Sequence, residues 1–250
     1  MISFKNIKKK FGDTEVLLGI DGEFEAGRTN LIIGSSGTGK SVLLKCIVGL
    51  IKPDEGDISY DGRSFLDADS EGKKDIRREI GMLFQSSALF DSQTVEENVM
   101  FPLDMMTEMS KAEKLERANF CLERVGLENI NKLMPSELSG GMKKRVGIAR
   151  AIVMRPKYLF CDEPNSGLDP QTAIKIDNLI HDITKDFGIT TIVVTHDMNS
   201  VIEFGDFVIF LSKGYKAWEG EKDEIFNTES EELKEFLYSN ALMRNYYKNK

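Results

Sequence analysis

Gly34-Ser35-Ser36-Gly37-Thr38-Gly39-Lys40-Ser41 constrains this chain more than any other stretch. It fits G-x-x-x-x-G-K-[ST], a loop that cradles phosphate groups. Its flanks carry the required context. Leu31-Ile32-Ile33 ahead of it reads as a short apolar strand. Val42 to Leu50 behind it is apolar at helical spacing and is closed by Gly49 and Pro53. Strand, glycine turn and helix N-terminus together make an anion site, because backbone N–H groups converge there and the helix dipole favours negative charge. Lys40 can reach β- and γ-phosphates, and the Ser41 hydroxyl can ligate Mg²⁺.

Composition narrows the setting. The 250 residues are 41% hydrophobic and 30% charged, which suits one large domain or a domain with an inserted lobe. A formal net charge of -8 argues against a nucleic-acid partner. Cys46, Cys121 and Cys161 form no C-x-x-C pair and read as reduced core residues of a cytosolic protein. Met1 to Lys5 has no signal-peptide character, and no apolar run nears the ~20 residues that cross a bilayer, so a membrane role is expected through a partner.

Residues 1 to 33 read as short strands, Ser3–Ile7 and Thr14–Leu18 around a Gly12-Asp13 turn. Phe11, just before the turn, could pack or could stack on a base. Asp67 to Lys74 reads as a polar surface loop, and Ile80 to Phe84 as a strand ending at Gln85. Ser110 and Glu113 fit a capping box that opens a helix closed by Gly126. Residues 94 to 155 then read as an all-helical lobe set into an α/β core. Leu138-Ser139-Gly140-Gly141-Met142 leads into a helix that runs to Met154, and its Lys143-Lys144-Arg145 triplet reads as a solvated face. Tyr158 to Asp162 is an apolar strand ending in Asp162-Glu163. An aspartate there can hold Mg²⁺, and the adjacent glutamate can orient an attacking water. His181 lies off the apolar face of the next helix and reads as solvated. His196 ends the strand Thr190–Thr195, where α/β folds bind ligands.

With these motifs placed, the chain resembles the ATP-binding subunits of ABC transporters over roughly residues 1 to 220. Gly34 to Ser41 match Walker A, Gln85 the Q-loop, Leu138 to Met142 the signature, Leu159 to Asp162 Walker B, and Ser166 to Asp169 the D-loop. The resemblance implies an α/β fold: a P-loop NTPase (RecA-like) core with the helical lobe at about 94–155, a small antiparallel β subdomain, and a C-terminal helical tail over 221–250. It implies ATP and Mg²⁺ as cofactors. Glu163, His196, Lys40 and Gln85 would be catalytic. Phe11, Ser35, Ser36, Gly37, Thr38, Gly39, Lys40, Ser41, Val42 and Gln85 would contact nucleotide, as would Ser139, Gly140, Gly141 and Asp169. Ser41, Gln85 and Asp162 would hold the metal. Met142 stands where many members have Gln, and Val42 where many have Thr; the lost hydroxyl is worth only ~1 kcal/mol.

The resemblance further implies a homodimer that sandwiches two ATP molecules and drives a multi-span permease from the cytoplasmic face of the inner membrane. A chromosome or repair ATPase is disfavoured because Ser41 to Leu138 holds no coiled-coil insertion, and intact Lys40, Glu163 and His196 argue against an inactive module. Within the family, Gly81 to Ser92, Thr94 to Val99, Phe101 to Leu103, Leu138 to Met142 (with Met142 the residue this branch commonly carries) and Glu232 to Leu237 look most like the ATPase of Mla-type (MCE-associated) phospholipid transport systems. A periplasmic MCE protein is then expected in the complex, with Leu89, Phe90 and Phe101 as permease contacts. An amino-acid or other small-molecule transporter is the alternative. The tail residues Leu242, Met243, Tyr246 and Tyr247 are expected to pack on the second copy.

Overall fold

The computed structural model describes residues 1–239. The chain divides into two compact units, residues 1–69 with 192 onward, and residues 70–191.

The first unit opens with β1 (Ile2–Phe11) and β2 (Thr14–Phe24), a hairpin turned at Gly12-Asp13. Both strands run further than the short alternations suggest. Register shifts around Asn6, whose φ is 50°, let the hairpin continue past the breaks in its pattern. β3 (Thr29–Ile33) is buried throughout and feeds the glycine loop and α1 (Lys40–Val48). β4 (Glu55–Tyr60) and β5 (Arg63–Ser64) complete an antiparallel sheet of order β2-β1-β4-β5, the small β subdomain anticipated above. Ile2, Phe4, Ile7, Ile20, Phe24, Ile58 and Tyr60 are all buried in this unit. The Tyr60 hydroxyl donates to the Ile47 carbonyl at 2.7 Å, which ties α1 to the subdomain without orphaning a buried polar group.

The second unit begins with α2 (Ser70–Arg78), where the sequence reading has a surface loop. Only Ile76 of this helix is buried and its other side chains are polar or charged, so the stretch reads as a polar loop. β6 (Ile80–Leu83) lies parallel to β7 (Tyr158–Asp162). Between them run α3 (Val95–Met106), α4 (Lys111–Arg124) and α5 (Gly140–Ile152). Capping boxes open both α3 and α4: Thr94 with Glu97, and Ser110 with Glu113 as expected. α6 (Pro170–Phe187) is capped by Asp169 and ended by Gly188 at φ 61°. His181, on this helix, is half-buried rather than solvated, and its Nδ1 has no hydrogen-bond partner.

β8 (Thr190–Thr195) crosses from the second unit into the first. α7 (Met198–Phe204), β9 (Phe207–Ser212), β10 (Tyr215–Glu221) and α8 (Glu231–Ser239) follow. β9 pairs parallel with β3 and antiparallel with β10. On α8, Leu233 and Leu237 are fully buried, and the Phe236 ring lies 5.3 Å from Phe210 of β9. Burying each leucine stabilises the helix's seat by about 1.5–3 kcal/mol. Leu242, Met243, Tyr246 and Tyr247 lie outside the described residues. Among the described residues no helix is long and apolar enough to cross a membrane.

Candidate functional site

In the first unit the phosphate loop joins β3 to α1, as its sequence requires. Gly34 has φ 148°, and a Cβ there would lie 2.3 Å from the Leu211 carbonyl oxygen of β9, so only glycine fits. Thr38 closes the loop by donating its hydroxyl to the Ser35 carbonyl at 2.9 Å. Lys40 is buried, and its ammonium donates to the Gly34 and Ser35 carbonyls, both at 2.9 Å. Both of these acceptors are neutral carbonyls of the loop. Gly39 is the N-cap of α1 and offers no side-chain cap, and no acid lies in the first turn. The first N–H groups of α1, from Lys40, Ser41 and Val42, suit an anion. Phe11, at the end of β1, is 49% exposed, with the Lys9 ammonium 5.5 Å from its ring centroid. The ring is therefore not part of the core. His196 follows directly on β8 and is exposed, while Asp197 caps α7.

In the second unit β7 delivers two carboxylates in different settings. Asp162 is buried at the strand's end. Glu163 takes a left-handed backbone, φ 45°, which a glutamate adopts only under constraint. Its Oε2 accepts from Gln85 Nε2 at 3.0 Å, and the same amide reaches Ser166 Oγ at 3.3 Å. The structure therefore gathers Gln85, Glu163 and the start of the 166–169 loop into one group.

Lys144 completes that group, and the sequence reading misses it. It is not solvated but 4% exposed. Its ammonium donates to the Gln85 carbonyl and, at 3.4 Å, to the Glu163 carbonyl. Burial pushes its pKa down, while Cys161, Glu163 and Asp162 pull it back up. The signal was present: Lys144 sits three, four and seven residues before the buried Gly147, Ile148 and Ala151, on the inward stripe of α5. Nearly two turns further along, buried Arg150 donates to the Ser87 carbonyl at 2.5 Å and the Ala88 carbonyl at 2.8 Å. Ser87 and Ala88 both have positive φ, so α5 grips a strained loop by its carbonyls. Buried Asp177 accepts from Asn165 Nδ2 at 3.1 Å, fixing the loop after Glu163 from α6.

Ser139 caps α5 by accepting from Met142 N at 3.3 Å. Ser139, Gly140 and Gly141 share a cavity of about 580 Å³ with Gly167, Leu168 and Asp169. Arg124, Arg145 and Lys175 also line it and make it electropositive. Asp169 accepts from Thr172, and that contact holds its carboxyl below the usual carboxylate range.

A second, apolar groove of about 530 Å³ lies on this unit, lined by Phe84, Phe90, Phe101, Pro102, Met105 and Met106 among others. The Phe90 and Phe101 rings are 4.7 Å apart, and Phe90 is 40% exposed. Leu89 is half-buried. The three cysteines are buried, and burial pushes Cys46 and Cys121 up to about 11, so none is poised as a thiolate. Among the described residues no cluster of three His, Cys, Asp or Glu could hold a metal.

The family model described as "ABC transporter" matches residues 17–166. The methionine import ATP-binding protein MetN of Brucella abortus (strain 2308) is 39% identical over 226 residues, 90% of this chain and 61% of its own length. MetN of Clostridioides difficile (strain 630) is 39% identical over 97% of this chain and 75% of its own. The chain thus spans about three-fifths of the Brucella relatives it matches. Among solved structures, the dimeric structure of MJ0796, a bacterial ABC transporter cassette, superposes with TM-score 0.81 at 36% identity, covering 89% of this chain and 99% of that one. The same cassette is known in a post-hydrolysis state bound to ADP and Pi, again with TM-score 0.81 at 36% identity, covering 89% of this chain and 99% of that one. The cbiO1 structure from Clostridium perfringens, part of the cbiONQ complex, gives 0.83 at 30% identity over 100% of this chain and 98% of that one. The fold is therefore the ABC cassette: a mixed α/β P-loop NTPase core.

Proposed function

The chain belongs to the ABC transporter family, and from that premise we propose that it is an ATPase subunit that powers transport through a membrane permease. The observation that carries this is the pairing of Gln85 with Glu163 at 3.0 Å, at the end of a strand whose preceding residue is a buried aspartate. A buried carboxylate beside an oriented, hydrogen-bonded one suits a metal ligand beside a water-activating base.

Phosphoryl transfer to water needs positioning and charge neutralisation more than covalent chemistry. Phe11 stacks the adenine. Ser35 to Val42 receive the phosphates through N–H groups, and the Lys40 ammonium exchanges its carbonyl partners for phosphate oxygens. Ser41, Gln85 and Asp162 would hold Mg²⁺, which when bound would neutralise phosphate charge. The uncapped start of α1 and the buried Asp162 are the features here that fit these groups. Glu163 accepts the proton of the attacking water, Gln85 keeps that carboxylate aimed, and His196 contacts the γ-phosphate. Ser139, Gly140, Gly141 and Asp169, from a second copy of the chain, close the site with their electropositive cavity. Lys40→Ala should abolish nucleotide binding; unchanged binding of a fluorescent ATP analogue to that variant would remove the phosphate loop from this role.

The Phe90–Phe101 groove is the place for the permease, because aromatic anchors in an apolar groove suit helix docking. The subunit then works on the cytoplasmic face of the membrane. For the cargo, the methionine-import names of the relatives support an amino acid over the phospholipid expected from residues 81–103 and 232–237, and they lend nothing to an MCE partner. The phospholipid reading rests on that sequence likeness alone. Purification from membranes decides between them: an amino-acid permease with methionine-stimulated turnover supports the first, an MCE-bound permease with phospholipid transfer the second.

A further inference from the structure

We propose that a cleft formed by α4, the turn after α5 and the C-terminal end of α6 binds a small organic anion: a flat apolar body bearing one carboxylate or phosphate. None of its residues belongs to the nucleotide motifs. The cleft measures about 360 Å³ and is lined by Arg117, Phe120, Arg155, Pro156, Phe187 and Ile189. That volume suits a small ligand. The lining holds two guanidinium groups and no acid, in a chain with 41 acidic residues against 33 basic ones.

The two arginines are set for a ligand rather than for each other. Arg117 is fixed twice: its Nε donates to the Val153 carbonyl at 3.0 Å, and its guanidinium lies 5.0 Å from the Phe120 centroid. Its outer N–H groups make no hydrogen bond to the described residues. Arg155 sits on a left-handed backbone, φ 54°, with its N–H on the Ile152 carbonyl and no side-chain partner among the described residues. Burial lowers the Arg117 pKa, Cys121 partly offsets this, and Arg155 lowers it again. Arg117 is half-buried and Arg155 exposed; an anion between two like charges beside apolar surface relieves their repulsion, and a guanidinium pairs with carboxylate or phosphate in two-point geometry.

The apolar walls define the rest of the ligand. Phe120 and Phe187 are 41% and 40% exposed, with centroids 6.4 Å apart and planes inclined by 32°. Two exposed, mutually tilted rings, with Pro156 and Ile189 beside them in the lining, offer apolar walls to a flat group. Arg124 lies over Phe187 at the rim but is already paired with Asp186. It adds an aromatic contact without competing for the anion.

The test follows the Ile189 δ-methyl resonance of the full chain, assigned with Ile189→Val, during titration with phenyl phosphate, benzoate, inorganic phosphate and benzyl alcohol. Added ADP and Mg²⁺ occupy the phosphate loop. Phenyl phosphate and benzoate should shift the methyl saturably by about 10 mM, the range of weak single-fragment binding. The tighter of the two identifies the head group. Benzyl alcohol and inorganic phosphate should each bind at least about tenfold more weakly, since each lacks half of the ligand. Arg155→Gln should weaken phenyl phosphate about tenfold to a hundredfold while melting like wild type and keeping its basal ATPase rate. Equal shifts from benzyl alcohol and benzoate would reduce the cleft to a greasy patch. No shift from either anion, or undiminished binding by Arg155→Gln, would overturn the assignment. The readout sits in the cleft, so its failure leaves the ATPase reading untouched.

Discussion

Replacing Lys144 with methionine isolates a positioning role from a folding role. The side chain is 4% exposed and spends its charge on two carbonyls, those of Gln85 and Glu163. A hydrogen bond from a charged donor is worth about 1.5–3 kcal/mol. The Glu163 contact, at 3.4 Å, is long, so the Gln85 contact carries most of this. Against it stands the cost of burying an ammonium, which is several kcal/mol. The two nearly cancel, and methionine fills the same channel, so the melting temperature should move by only a few degrees. The tether between Gln85 and Glu163 is lost, however. If it holds both groups in register, kcat should fall about tenfold to a hundredfold, or roughly 1.4–2.8 kcal/mol of barrier, with KM for ATP little changed. Lys144→Arg, which keeps a cationic donor, should recover part of the rate. There is also a pH signature. Burial holds the folded pKa of Lys144 below its ordinary 10.5, so the unfolded chain binds its proton more readily. Between the folded value and 10.5 wild-type stability therefore gains from this group as pH rises, and the methionine variant should lack that gain. A variant that melts early but turns over at the wild-type rate would refute the positioning role.

Gly34→Ala should abolish nucleotide binding, because the new Cβ would lie 2.3 Å from the Leu211 carbonyl oxygen at a φ of 148°, forcing the phosphate loop off β9; ATP-analogue titration checks this. In acid, the capping contacts of Glu97 and Glu113 to Thr94 and Ser110 hold both carboxyls below their ordinary 4.5. Their stabilisation is thus present above pH 4.5 and lost as pH falls through the folded values. Glu113→Gln should therefore melt lower than wild type at neutral pH and converge with it in acid, read by circular dichroism.

The sequence shows the site through spacing that few other folds use. Glycines followed by Lys40-Ser41 between an apolar strand and helix, and Asp162-Glu163 at the end of another, leave little freedom in where those side chains emerge. The Ser110 capping box was equally legible, because its two contacts are local. What escaped depends on tertiary packing. Lys144 reads as surface when seen within a basic triplet, and only its register with Ile148 and Ala151 betrays burial. α2 buries one residue and is otherwise polar or charged, so its composition reads as loop. The grip of Arg150 on Ser87 and Ala88 joins residues some sixty positions apart, and no local pattern encodes it. Cargo is harder still. Residues 81–103 suggested lipid, while the named relatives import methionine, because the same cassette chemistry serves any permease.

The central claim is that Glu163 activates water while the phosphate loop holds ATP. Phosphate release by Glu163→Gln, measured alongside ATP binding to the same preparation, tests it most directly. Glutamine keeps the shape and can still meet Gln85, but it cannot take a proton. Wild-type-like ATP binding, phosphate release reduced about a thousandfold or more, and a dimer accumulating with ATP are expected. Turnover by Glu163→Gln within about tenfold of wild type would contradict it and move the base to another residue, with His196 the first to be examined.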